Sequence, residues 1–373
     1  HEPCGYAYKV VCIDSHYTKP TKLYRGENCI EEFMNALQEE EKYIGEIIQQ
    51  NKSNKIKTNE DVENFNKAKV CHICNQSFNK QVDHSHFRIK KIVCSTCKNK
   101  IGKDNHVFKH HKKDDKKCIM CNYDKGLHEV TEKTCGICKQ EYANDKVWDH
   151  CHITGKYRGA AHNGCNLQYK IPEFIPVVFH NLRGYDSHFL VKVLGKFTDK
   201  VRVIPNNMEK YMSISVGRFR FIDSFQFMSA SLEALAKNLK KFPNLESEIK
   251  ENVDLLKQKG VYPYDYMDSW EKFEKTKLPP ISGFYSRLSD SHISNSDYKR
   301  AKLVWSAFKI RNMGEYHDLY LKTDVLLLAD VFENFRDICL EYYKLDPAHY
   351  FTSPGSAWDA MLKLTKVKLE LLT

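Results

Sequence analysis

Apolar positions in the first fifty residues change from a two-residue period to a helical one. GYAYKVVCID alternates large apolar and small residues, and KLYRG follows a proline-containing turn. Together they predict two strands within residues 1–26. Ile30, Phe33, Leu37, Ile44, Ile47 and Ile48 then share one helical face, which predicts a helix over residues 28–50 capped by Asn28. Residues 51–69 are polar and predict a linker with a short helix near 58–68. From 70 to 170 the apolar periodicity fades, and Cys, His and Lys dominate. It returns after Lys170. PVVF (176–179) predicts a short buried strand and SHFLVKVL an apolar helix. VRVIP, YMSISVG and RFRFIDSFQFM predict further strands with a hairpin turn at Gly217, and residues 231–239 a helix. Residues 242–300 are charged, aromatic and irregular, because YPYDYMDSW and KLPP break any long element. A long helix is expected over 314–343, and a break at Pro354 and Gly355 opens a last one. The pattern is α/β on both sides of a segment that has no apolar core of its own.

Composition narrows the class. A chain of 373 residues with 42% hydrophobic and 12% aromatic content is long enough for two or three folded domains. No run of about 18 apolar residues predicts a membrane span. The net charge of +10 is unevenly spread: residues 88–117 hold eleven Lys or Arg against three Asp, a local excess of +8. A basic segment beside cysteine clusters suits a phosphate backbone better than a purely solvated loop, which makes DNA the expected partner. A chain that starts at His1 without an apolar leader reads as a fragment or processed product that is not secreted. An intracellular compartment containing DNA, such as the nucleus, fits it.

Eight of the fourteen cysteines form C-x-x-C pairs at 71/74, 94/97, 118/121 and 135/138. In this setting they read as metal thiolates in a reducing compartment, not as a disulfide frame. The stretch CGICKQEYANDKVWDHCHITGKYRGAAHNGCNLQY carries the fullest set. Cys135, Cys138, His162 and Cys165 are two soft pairs that can close a tetrahedral zinc site. Asp149 and Asn166 can hold a hard divalent ion through oxygen. His150 is placed to take a proton from water, with His152 assisting and Lys156 and Arg158 gripping a phosphodiester. An earlier, degenerate copy repeats the pattern: Cys71, Cys74, then Asp83-His84-Ser85-His86, then Cys94 and Cys97, with Lys98 where the later copy has Asn166. That copy is expected to keep zinc without catalysis. Cys118 and Cys121 are an orphan pair with His106, His110, His111 and His128 nearby, and a grouping of Cys94, Cys97, His106 and His110 is equally open.

CGIC, DHCH, TGKYRG and HNGCN resemble the recombination endonuclease VII group of His-Asn-His nucleases over about 35 residues. The chain departs from that group in placing His162 where a cysteine is usual. The flanking segments resemble something else. Asn181-x-x-x-Tyr185-Asp186 after a buried strand, and Tyr320-x-x-x-Asp324 on a helix, are similar to the second and third exonuclease motifs of family B DNA polymerases. Ser231-Leu232-x-x-Leu235 looks like that family's single-strand-binding motif. The wider text, including FHNLRGYDSHFL and EYHDLYLKTDVLLLADVFENFRD, resembles the protein-primed polymerases of Polinton (Maverick) type transposons over nearly the whole chain.

That resemblance implies an RNase H-like 3′–5′ exonuclease domain interrupted by a zinc-stabilised ββα-metal type insert. The expected divisions are 1–69 and 171–345 for the exonuclease domain, 70–130 and 131–170 for the two zinc modules, and 346–373 for the start of a connection to a polymerase palm. It further implies magnesium held by Asp186 and Asp324, water oriented by Tyr320, a frayed strand touched by Asn181, Ser231 and Leu232, and a terminal protein as primer. The family's D-x-E pair is not matched by Asp61-Val62-Glu63, which reads as a solvated helical face; the true pair is expected upstream of His1 and the palm beyond Thr373. Two rival readings remain: a metal-dependent endonuclease acting through Asp149, His150 and Asn166, and a non-catalytic zinc relic that only grips DNA.

Overall fold

The computed structural model describes residues 2–51, 55–78, 146–151, 154–168, 174–197, 201–205, 211–367 and 369. Its elements run in the order β1 (Gly5–Tyr8), β2 (Lys22–Arg25), α1 (Cys29–Asn51), α2 (Asn59–Lys67), β3 (Lys146–His150), β4 (Tyr157–His162), α3 (Asn163–Gln168), β5 (Ile175–Phe179), α4 (Ser187–Leu194), β6 (Val201–Pro205), β7 (Tyr211–Val216) and β8 (Phe219–Asp223). There follow α5 (Leu232–Lys237), α6 (Pro243–Glu248), α7 (Asn295–Ala307), α8 (Met313–Tyr343) and α9 (Ser353–Thr365). The mixture of helix and sheet is α/β. The chain divides into two compact units, residues 1–45 with 172–373, and residues 46–171. Among the described residues no helix is long and apolar enough to cross a membrane.

In the first unit, β5-β8-β7-β6 form one sheet. β5 runs parallel to β8 with Phe179 opposite Asp223, while β6, β7 and β8 are antiparallel. β7 turns into β8 at Gly217, whose φ is 57°. The apolar stripe of α1 (Phe33, Met34, Leu37) and that of α4 (Leu190, Leu194) pack with Ile214, Val216, Phe219 and Phe221 of the sheet. Asn28 precedes α1 with a left-handed backbone (φ 57°), outside the extended conformation of an ordinary N-cap.

A second core lies under α8, where Leu326, Leu327 and Val331 meet Leu232, Leu245, Leu256 and Val304. The stretch expected to be irregular contributes α6 and α7 to it. Buried Asp330 explains α6: its carboxylate accepts from the backbone N–H of Asn244 (2.7 Å) and Leu245 (3.1 Å), satisfying donors that a helix start leaves unpaired. Glu248 at the other end of α6 accepts from Lys9 (2.6 Å), Lys322 (2.9 Å) and the Thr21 backbone (2.8 Å). Those donors outweigh burial and hold its carboxyl at about 2.

The second unit is held differently. Its described buried apolar residues are Cys71, Ala160 and Ala161. Trp148, Tyr157 and Phe65 form an aromatic cluster, with Trp148 and Tyr157 centroids 4.3 Å apart. Lys146 donates to the carbonyls of Asn66 (3.2 Å) and Ala68 (2.8 Å) at the end of α2. α2 itself starts with a capping box between Thr58 and Asp61, so Asp61 serves the helix end.

Candidate functional site

The turn after β5 is built around Asp223. This residue ends β8 directly opposite Phe179 and is almost fully buried. Its carboxylate accepts from the backbone N–H of Asn181 (2.8 Å), Arg183 (3.3 Å) and Phe225 (3.0 Å). Those bonds hold Asn181 in a left-handed conformation (φ 64°) and set the short helical turn that delivers Asp186. Burial pushes the Asp186 carboxyl up to about 6, and the neighbouring charge of Asp223 adds to the rise.

On α8, Tyr320 and Asp324 are one turn apart and face a basic partner. Lys259 Nζ lies 2.6 Å from Asp324 Oδ2. Burial raises the Asp324 carboxyl, and Lys259 offsets only part of that. The other oxygen, Oδ1, is buried without a hydrogen-bond partner among the described residues. Burial and the charge of Asp324 keep the Tyr320 hydroxyl protonated, well above its usual range. That hydroxyl is 2.8 Å from the hydroxyl of Tyr264. Tyr264 lies in the field of both Asp324 and Tyr185, and His180 in the field of both Asp223 and Asp324. The turn after β5 and this face of α8 therefore meet at one place. Asn181 and Tyr185 are exposed there.

Ser231 and Leu232 have structural employment. The Ser231 hydroxyl caps α5 by accepting from Ala234 N–H (3.2 Å), and Leu232 is 6% exposed in the core under α8. Sequence reading missed Asp223, Lys259 and Tyr264. Asp223 reads as the end of an apolar strand, and Lys259 and Tyr264 fall in a stretch that looks irregular, so none carries a local signal.

In the second unit, Cys71, Cys74, His162 and Cys165 present ligand atoms within 4.8 Å of one another. Among the described residues it is Cys71 and Cys74 that stand beside His162 and Cys165, a grouping not expected from the sequence. Cys94, Cys97, Cys118, Cys121, Cys135 and Cys138 lie outside the described residues, as do Asp83–His86 and His152. The physical reason is the strand ladder. Cys71 N–H bonds Gln76 O (2.9 Å) across a tight loop, His72 N–H bonds Ala160 O (2.9 Å), and the loop docks on β4 just before His162. His162 Nδ1 faces Cys74 Sγ (3.3 Å) and Cys165 Sγ (3.8 Å), while Nε2 faces Ser77 O (3.2 Å). One nitrogen thus points at the thiols and the other is anchored outside them, the arrangement that orients a metal-bound imidazole. Backbone N–H donors outweigh burial and pull the Cys71 thiol down to about 7. Burial and the other sulfurs push Cys165 up to about 12. Three sulfurs crowded with one imidazole are relieved by a soft or borderline divalent cation, so the donor set fits zinc.

β3, β4 and α3 follow one another as a ββα unit beside this centre. A bulge between Asp149 and His150 lets both side chains be buried. Asp149 accepts from Arg158 (2.6 Å) and pairs with His72 Nε2 (2.8 Å). Burial would raise its carboxyl, but His72 and Arg158 hold it below the usual range. Gly159 makes this possible: a Cβ there would sit 2.6 Å from the His72 ring, and its φ of 158° suits glycine. Arg158, expected on a phosphodiester, is thus on Asp149, and Lys156 is exposed. Asn166 is partly buried on α3. His72 was legible only as the x of a C-x-x-C pair.

A family model described as DNA polymerase type B, organellar and viral, matches residues 170–372. The match covers more than half of the chain, and the protein belongs to that family; DNA is the partner that membership implies. The matched residues hold Asn181, Asp186, Asp223, Lys259, Tyr320 and Asp324 and leave out the thiolate centre. No curated protein and no solved structure gives a significant match.

Proposed function

We propose that the chain is the 3′–5′ exonuclease region of a protein-primed polymerase of Polinton type, with an RNase H-like core and a nuclease-type metal module inserted in it. The observation that carries this reading is that His180 and Tyr185, on the turn that delivers Asp186, lie in the fields of Asp324 and Tyr264, and Tyr264 is hydrogen-bonded to Tyr320. Two separated sequence motifs thus share one neighbourhood, as the family's exonuclease chemistry would require. The orphaned Asp324 Oδ1 and the raised Asp186 carboxyl are what a divalent cation would satisfy. Magnesium held there would supply charge stabilisation and a more acidic water. Lys259 pairs with Asp324 Oδ2 and offsets part of the burial that disfavours its carboxylate. Tyr320, kept protonated, is a donor able to orient a water. Asn181 and the exposed rings of Tyr185 and Tyr264 form a platform for unstacked bases. Priming by a terminal protein belongs to the same proposal and rests on family likeness alone.

The test is photo-crosslinking with a single-stranded oligonucleotide carrying a reactive base at its 3′ end or its 5′ end. Crosslinks from the 3′ probe to the peptide containing Asn181–Tyr185 or to that containing Tyr264 are expected. Equal labelling by both probes, or none at these peptides, overturns the reading.

A second reading, a structure-selective or nicking endonuclease, is favoured by the ββα unit with Asp149 and His150 at its bulge. Branched DNA with magnesium, cut by the chain and not by His150→Ala, would support it. Equal cleavage, or none in either, leaves a module that only grips DNA.

A further inference from the structure

Beside the first site and unused by it, a thiol, an imidazole and a carboxylate stand in line where the chain entering β1 meets α8. Cys4 Sγ is 3.7 Å from His317 Nε2, and His317 Nδ1 is 3.2 Å from Asp318 Oδ1. Asp318 is held in turn by Arg25 Nε at 3.1 Å. The imidazole is buried and clamped edge-on by Tyr262 and Phe273, at 5.6 and 5.3 Å between centroids, so it cannot swing away. Gly5 allows the approach: a Cβ there would lie 2.8 Å from Tyr24 O and 3.0 Å from the His317 ring. Cys4 is partly exposed, so reagents can reach a sulfur whose base is fixed behind it.

We propose that Cys4 is a nucleophilic thiol and a modification site, activated by His317 and oriented through Asp318, that takes hydroperoxides and soft electrophiles. This is the geometry of an activated nucleophile: a base within reach, itself held by a third group. Burial works against a charged imidazole, yet Asp318 and Cys4 outweigh it and the His317 pKa is raised. Buried Cys29 does not compete, since burial and then the neighbouring Cys4 charge push its thiol up to about 11. With hydrogen peroxide, the Cys4 thiolate attacks one oxygen and the O–O bond breaks. The sulfur, oxidised by two electrons, becomes a sulfenic acid, and the departing hydroxide takes the proton from the His317 imidazolium to leave as water.

The experiment is iodoacetamide labelling of the whole chain at neutral pH, with the rate at each cysteine read by mass spectrometry. Cys12 and Cys339, both partly exposed, are the internal references. Cys4 should react roughly tenfold faster than either, as a thiol with a base fixed beside it does. His317→Gln should bring it down to the reference rate. Cys4 labelling no faster than Cys12 and Cys339 overturns the proposal, and so does a fast rate that His317→Gln leaves unchanged. If His317→Gln loosens the fold, seen as labelling of Cys29, then Asp318→Asn decides. A fall in the Cys4 rate relative to the references supports the assignment, and an unchanged ratio overturns it.

Discussion

The two units solve the same problem, holding charged groups in fixed geometry, by opposite means. In the unit of residues 1–45 and 172–373, carboxylates are fixed by an apolar scaffold. Asp223, Asp324 and Asp330 each sit at the end or on the buried face of an element already ordered by packing. In the unit of residues 46–171 the described apolar core is slight, and polar groups do the ordering: three thiols, His162, and the His72–Asp149–Arg158 chain. Where side chains cannot exclude enough water to offset chain entropy, a ligand set can take over the role of a core. One unit should therefore fold without metal, and the other should depend on it.

The largest expected effect follows from that contrast. Binding free energy at structural zinc sites is folding free energy, on the order of 10 kcal/mol. Chelation, or Cys74→Ser, is expected to abolish hydrogen-exchange protection across β3 and β4 while leaving β5, β7 and β8 protected. Retained protection in β3 and β4 would mean that the aromatic cluster of Trp148, Tyr157 and Phe65 suffices, and the contrast would fail.

Next comes the ion pair of the first unit. Asp324→Ala leaves the partly buried Lys259 without its carboxylate and should cost about 3 kcal/mol in urea unfolding. The double change Asp324→Ala with Lys259→Met should recover most of it. Read with chelator present, both values report the ion pair alone. A loss below about 1 kcal/mol would show that Lys259 simply turns to solvent.

How much of this was legible depends on the kind of residue. Helical and alternating apolar periods placed α1, α8 and the strands β5 to β8, because those elements bury one face and the pattern records it. Asp186, Tyr320 and Asp324 stood out through a family resemblance, and their joint role belongs to the proposal. Asp223 and Lys259 were not: their meaning lies in partners 42 and 65 residues away along the chain, Asn181 and Asp324. The pairing of Cys71 and Cys74 with His162 and Cys165 was equally hidden. C-x-x-C pairs are locally identical, and nothing in their spacing announces that the loop of Cys71 and Cys74 docks on β4.

A smaller effect concerns pH. The folded-state pKa of Asp186 is raised to about 6, against about 3.9 in an unfolded chain. Between those values the folded state holds the proton more tightly, so stability falls as pH rises from about 4 through 6. The loss from this group is on the order of 2–3 kcal/mol. Asp186→Asn should flatten that part of the unfolding-midpoint profile. An identical slope in the variant would show that Asp186 is better solvated than its setting implies.

The smallest effect bears on Ser231, where packing and function make different claims on one hydroxyl. As the cap of α5 it satisfies Ala234 N–H, and Ser231→Ala should cost about 1 kcal/mol. Ser231→Asp keeps an oxygen acceptor at the cap and favours a helix N-terminus, so stability should return to the native value. An added carboxylate would also repel a phosphodiester. If single-stranded DNA runs past α5, the aspartate variant should be as stable as the native chain and yet bind an oligonucleotide several-fold more weakly, most visibly at low salt. Measured side by side, unfolding and binding separate the two roles. Weakened binding with intact stability assigns the hydroxyl to the DNA path as well as to the helix. Unchanged binding confines it to the cap, and the proposed strand-binding surface then reduces to Asn181, Tyr185 and Tyr264.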